Sequence, residues 1–332
     1  MPFRKKKHPQ AHDREFDGLY EGYDERQAVH EGEDHDPVGS QFEFHDAPRR
    51  RRGCIRTAGC LIPVLVVGGI AGGAYYGYNH LLDNFGSATC QLTANGSFDY
   101  SPEQAANAAT IVAVGTMKLG LPSRAGEAAL TTAITESKIR NLTYGDRDSL
   151  GLFQQRPSQG WGTEQQIQDP VYSSTAFYNK LTKIPSWESQ DIANVSQEVQ
   201  RSGVPTAYAN HVAAAKVLTA SLDGASPEKV TCRLDPATTS SRPDAVVTKI
   251  ARQSGLRAVA GTADVTFRAR TSQRAWAVAA WAVTHAEAEG INSVTVGSRQ
   301  WVRQRGRAGA TWVAAAKSTG SPTGVRITLA GR

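Results

Sequence analysis

Glu136 stands where a helical pattern ends. Asp146 and Asp148 follow it in a glycine-containing turn. Then come Ser149, the paired amides Gln154 and Gln155, and a glycine-flanked Trp161. A carboxylic acid at a helix end, beside a groove lined by amides and an aromatic ring, has the parts needed to protonate an acetal oxygen and break a glycosidic bond. The apolar stripe of its helix is Ala129, Leu130, Ala133 and Ile134, so Glu136 falls on the border between the buried and wet faces. Partial desolvation and the negative end of the helix both disfavour a carboxylate there and raise its pKa. A general acid working near neutral pH needs that shift. The same periodicity also fits a surface glutamate on an amphipathic helix. Asp146 or Asp148, if placed roughly 6.5–9.5 Å from Glu136, would position a water and permit inverting hydrolysis. Aspartates beside glycine in a turn also serve as structural caps.

The elements that position these residues are helical. Ser101-Pro102-Glu103-Gln104 reads as a helix start, with serine as the cap and proline at the first position. Ala105, Ala108, Ala109, Val112 and Leu119 continue it at helical spacing, and Gly120 closes it. Pro122-Ser123 opens the helix that carries Glu136. A third helix starts near Asp169-Pro170, and a fourth follows Pro205 with Ala207, Tyr208, Val212, Ala215 and Leu218. No strand-like alternation interrupts residues 101–220.

The chain before this body divides in two. Residues 1–48 are dense in charge and poor in aliphatics, and they predict a disordered tail. Arg49 to Arg52 and Arg56 precede an uncharged apolar run, 57–79, that ends in Tyr75, Tyr76 and Tyr78. About 20 apolar residues span a bilayer. The arginines keep the N-terminus cytoplasmic, and the tyrosines mark the far interface. Everything after His80 is then expected outside the cell membrane. In that oxidising setting Cys90 and Cys232, which bracket Glu136, are expected to form one disulfide. Cys54 and Cys60 fall at the cytoplasmic edge, as plain thiols or an acylation site.

Several of these residues recur together in a known family. Glu136-Ser137, Ser149-Leu150-Gly151-Leu152-Phe153-Gln154 and Pro157 resemble the soluble lytic transglycosylases of the lysozyme-like superfamily, in their membrane-anchored actinobacterial form. Asp169-Pro170 with Tyr178 is similar to that family's next helix, and Ala207-Tyr208 to its third motif. The resemblance covers roughly residues 91–220. It departs at Lys138, at the 145–148 turn, at Phe153 in place of the common Met, and after Tyr208, where Ala-Asn follows. It implies a mainly α lysozyme-like domain over residues 88–222. It also implies that Glu136 protonates the oxygen between N-acetylmuramic acid and N-acetylglucosamine, then acts as base on the sugar's C6 hydroxyl, giving a 1,6-anhydro end. Ser149 and Gln154 would hold substrate and Glu136, Tyr208 would hydrogen-bond the glutamate, and Trp161 would stack on a sugar or pack its own loop. Substrate contacts are expected from Ser149, Gln154, Gln155, Trp161 and Tyr208.

Residues 223–244 have the Pro, Ser, Thr and Gly content of a linker. A small α+β domain is expected over 245–332, with helices at 246–251 and 275–288 and strands at 263–267, 291–296, 310–314 and 325–329. From Arg242 onward there are fourteen Lys and Arg against four Asp and Glu. The excess suits anionic wall polymers, lipid headgroups or peptidoglycan carboxylates, and the expected side of the membrane disfavours nucleic acid. Arg299, Arg303, Arg305 and Arg307 with Trp301 form the densest basic stretch. His285, Glu287 and Glu289 read as a solvated helix end rather than a metal site, and no motif calls for a cofactor. Two classes of function stand: a glycan-strand cleaving enzyme acting on peptidoglycan, or a non-catalytic wall-binding protein.

Overall fold

Glu136 sits near the end of a helix built largely of small residues, and the rest of the helical body closes around it. The structure, a computed structural model, describes residues 73–78, 80–81, 87–201 and 206–331. The expected tail, the arginine cluster, Cys54, Cys60 and most of the apolar run 57–79 lie outside the described residues. Among the described residues no helix is long and apolar enough to cross a membrane. All the described residues belong to one compact unit.

The body begins with β1 (Thr89–Leu92) and β2 (Phe98–Tyr100), followed by α1 (Pro102–Val112), which runs on into a π-helical turn at Ala113–Lys118. Ser101 caps α1 through a reciprocal box with Gln104. The π turn has a packing reason. Gly115 lies so close to Tyr178 that a Cβ there would stand 2.6 Å from its ring, and the Tyr178 hydroxyl donates to the Ile111 carbonyl at 2.9 Å.

Next come α2 (Ser123–Ser137), α3 (Glu164–Ile167), α4 (Pro170–Leu181), α5 (Ile192–Gln200), α6 (Thr206–Ala209) and α7 (Val212–Leu222). Ala125, Ala128, Ala129 and Ala133 are fully buried in α2, and so small a surface lets α1, α5 and α7 approach closely. The Ser196 hydroxyl on α5 reaches the Ala128 carbonyl at 3.1 Å.

Residues 223–244, expected as a linker, are built into the fold instead. They contain β3 (Val230–Arg233), which pairs with β1 so that Cys90 and Cys232 face each other and form a disulfide. Val230 and Leu234 are buried. The polar composition that suggested a free linker serves as pairing partners for the C-terminal half. Ser240 bonds the Ala330 carbonyl, and Ser241 bonds Glu289.

The C-terminal half comprises α8 (Pro243–Ser254), β4 (Val259–Ala260), β5 (Asp264–Arg268), α9 (Ser272–Thr284), α10 (Ala286–Glu289), β6 (Ile291–Val296), β7 (Arg299–Val302), α11 (Gly306–Gly309), β8 (Trp312–Ala314) and β9 (Gly324–Leu329). Its strands form one antiparallel sheet in the order β4-β5-β9-β6-β7-β8. The expected strands and helices are present with shifted ends. β4 and β7 were not readable, because one has two residues and the other has arginine and glutamine at its start.

Helix α9 joins the two halves. It is buried on every side from Ala275 to Thr284, with the sheet strands β6 and β9 on one flank and α1 and β3 on another. A helix apolar around its whole circumference is a core helix, so the halves share one interior.

Candidate active site

Glu136 owes its position to the way α2 stops. Lys138 and Ile139 both take the left-handed conformation, with φ of 54° and 60°. A left-handed residue costs about 1–2 kcal/mol, and the strain is greatest for the β-branched Ile139. Ile139 is fully buried, which holds it there. The Gln104 amide donates to the Lys138 carbonyl at 2.8 Å, and the Asn107 amide to the Ile139 carbonyl at 2.9 Å. Ser137 donates from its buried hydroxyl to the Leu152 carbonyl at 2.7 Å, joining the helix end to the segment that follows. That segment folds back through bridges between Leu142 and Gly151 and between Leu150 and Gln155.

The Glu136 side chain is half-buried. Tyr208, almost wholly buried on α6, donates its hydroxyl to Glu136 Oε1 at 2.5 Å. Gln200, the last residue of α5, hydrogen-bonds the same carboxyl and donates to the Phe153 carbonyl at 2.6 Å. Burial pushes the Glu136 carboxyl above the usual glutamate range, and the bonds from Tyr208 and Gln200 pull the other way. The net shift is upward. Such a carboxyl is more readily protonated near neutrality and is held in one orientation by two donors from separate helices.

The remaining expected residues divide. Ser149 is buried in the turn, its backbone N–H on the Asp146 carbonyl. Gln154 takes a positive φ of 46° and donates to the carbonyls of Tyr144 and Gly151. Neither side chain hydrogen-bonds Glu136, contrary to expectation, because the Gln154 amide is used to close its own loop. Gln155 is buried and donates to the Ser173 carbonyl at 3.1 Å, so it pins α4 rather than facing a ligand. Trp161 is 6% exposed, with Lys180 Nζ 3.2 Å from its ring centroid. A ring capped by a cation and otherwise packed offers no face to a sugar, so Trp161 is a packing residue. Burial, then the nearby Arg201 and Lys183, lowers the Lys180 pKa.

The two aspartates differ in how far they are engaged. Asp148 accepts from Arg156 at 2.7 Å and from the Ser158 N–H at 2.8 Å, and the Ser158 and Arg156 bonds hold its carboxyl well below the usual range. Asp146 is exposed beside Arg147. Neither bonds Glu136.

The helix α5 was not read from the sequence, and Gln200 was missed with it. The signal was present, since Ile192, Val195 and Val199 stand at i, i+3 and i+7 and are buried, and Asp191 caps the helix through the N–H groups of Ala193 and Asn194. Gln104 and Asn107 were also missed as clamps, because their partners lie more than thirty residues away.

The basic stretch at 299–307 is not an open patch. Arg299 forms a two-pronged pair with Glu228. Arg303 is buried against the carbonyls of Asp235 and Ala286 and against Glu287, Arg305 pairs with Asp235, and Arg307 donates to the Tyr75 hydroxyl. Trp301 is fully buried, its indole N–H on the Gly309 carbonyl. The acids that engage three of these arginines include Glu228 and Asp235, from the stretch expected to be a linker. His285 and Glu289 are also buried rather than solvated. His285 donates through Nδ1 to the Trp281 carbonyl, and Glu289 accepts from Lys249 and Ser241.

No protein-family model matches this chain, and no curated protein matches it.

Proposed function

We propose that the protein cleaves peptidoglycan glycan strands as a lytic transglycosylase of lysozyme-like fold, anchored by its apolar run with everything after His80 outside the cell. The observation that carries the reading is the half-buried Glu136 with the Tyr208 hydroxyl 2.5 Å away and its pKa raised by burial. Glu136 donates its proton to the glycosidic oxygen between N-acetylmuramic acid and N-acetylglucosamine. The resulting carboxylate then takes the proton of the muramic C6 hydroxyl, which closes on C1 to give the 1,6-anhydro sugar. One carboxyl serves both steps, which accords with Asp148 being tied to Arg156 and Ser158. Tyr208 and Gln200 keep the carboxyl aimed while its charge changes.

The test is mass spectrometry of peptidoglycan digested with the full chain in detergent. Anhydro-muramic ends are expected. Reducing muramic ends would replace the reading with hydrolysis, and intact strands would leave a non-catalytic wall-binding protein. Protease accessibility of the C-terminal half on intact cells tests the orientation.

A further inference from the structure

The sheet has one face covered by α9 and one that carries polar side chains outward. Val265, Val325 and Ile327 point inward and are buried, so alternation puts Thr266 and Arg268 of β5 and Arg326 of β9 on the outer face. Register sets Thr266 opposite Arg326 and Arg268 opposite Gly324. The two arginines are therefore diagonal neighbours, about 7–8 Å apart and somewhat closer at Cβ. The side-chain layer at Gly324 is taken up by the following turn, where a Cβ would stand 2.8 Å from Thr319 Oγ1. Arg257, just ahead of β4, completes the rim of a cleft of about 390 Å³ that Thr319 and Ser321 also line.

The state of these cations sets them apart from the 299–307 arginines. Among the described residues, Arg257 and Arg268 have no hydrogen-bond or ion-pair partner, and both are exposed. Arg326 has only a loose pair with Asp264 at 3.8 Å, the one carboxylate paired at this cleft. Three arginines with forked donors therefore line a recess at which Asp264 is the one paired carboxylate. Such forks match the oxygens of phosphate or carboxylate.

We propose that this cleft binds oxyanion groups carried on an extracellular polymer chain, and that it, rather than residues 299–307, is the anion-binding site of the C-terminal half. A recess admits a substituent projecting from a chain, whereas a lipid surface is flat, and this favours the polymer. The site does not depend on Glu136 being catalytic, and the choice of an extracellular polymer rests on the proposed membrane orientation.

The experiment uses the full chain in neutral-lipid nanodiscs and fluorescently labelled poly(glycerol phosphate), with poly-glutamate as the carboxylate arm, read by anisotropy. The triple variant R257Q/R268Q/R326Q should bind at least about tenfold more weakly, the scale of losing a charge-assisted hydrogen bond. The variant R270Q/R274Q/K317Q removes the same charge elsewhere and should change binding less than about twofold. The double variant R257Q/R268Q leaves the Asp264 pair intact and should reproduce most of the loss if the triple variant folds poorly. Equal loss in the triple and control variants, or no binding of either polymer by the unaltered chain, overturns the proposal. So does stronger competition from phosphatidylglycerol vesicles than from polymer, which would assign the cleft to lipid. E136Q should bind both polymers as the unaltered chain does, so this result and the cleavage result are read separately.

Discussion

At the scale of single residues, Glu136 is held between two opposing influences. Burial raises its pKa, and the hydroxyl of Tyr208 lowers it. Removing the carboxyl should remove cleavage: E136Q is expected to lose about 10²–10⁴-fold in rate, measured by release of soluble muropeptides. The same variant should be no less stable than the unaltered chain. A glutamate whose folded pKa is raised contributes stability at pH below its unfolded value, and this is lost as pH rises through the folded value. At neutral pH the buried carboxylate is therefore a burden that glutamine lacks, and thermal melting of E136Q at pH 7 should show an equal or higher midpoint. Tyr208→Phe deletes a donor that lowers the pKa. Its pH–rate profile should have its alkaline limb moved to higher pH, together with a rate loss of about tenfold. An unmoved limb would mean that Tyr208 is not bonded to the working acid.

At the scale of elements, the end of α2 and the π turn after α1 are the strained places. Gly115 has no room for a side chain beside the fully buried Tyr178, whose ring and hydroxyl are both fixed. Gly115→Ala should cost about 1–3 kcal/mol in denaturant unfolding, the usual penalty for overpacking a fixed core. A near-zero change would show that the π turn can relax without Tyr178. The helices of this region were largely legible because each announces its start: Ser101 with Gln104, Pro122 before Ser123, and Asp169 before Pro170. Their ends were less legible. Gly120 marks one, but α2 ends on Lys138 and Ile139, neither of which signals a left-handed turn. The turn is imposed by amides from α1, which are distant in sequence.

At the scale of the whole molecule, the shared interior around α9 argues against independently folding domains. Calorimetry should show one cooperative transition for the described body rather than two. Two resolved transitions would restore the linker that residues 223–244 suggested. The Cys90–Cys232 disulfide ties the first strand of the body to β3, and its reduction should destabilise by about 2–5 kcal/mol. His285 makes stability depend on acid. It is fully buried, and burial lowers its pKa to about 4. A group with a depressed folded pKa gives stability that is present above its unfolded value, about 6.5, and lost as pH falls toward the folded one. Unfolding free energy should therefore drop between those pH values by about 3 kcal/mol, and His285→Gln should flatten that drop.

What the sequence determined by itself was local. Helix starts, the apolar stripe beside Glu136 and the strands of the C-terminal half follow from periodicity and caps, which act over a few residues; the Cys90–Cys232 pair, 142 residues apart, was expected only on the assumption of an oxidising compartment. The tertiary structure decided which polar groups are left over. Trp161 is closed off by Lys180, Asp148 by Arg156 and Ser158, and three arginines of residues 299–307 by Glu228, Asp235 and Glu287, whereas Arg257 and Arg268 remain unpaired among the described residues. The physical reason is that a charge or ring is available for chemistry only when no neighbour has satisfied it, and those neighbours are brought in from far along the chain.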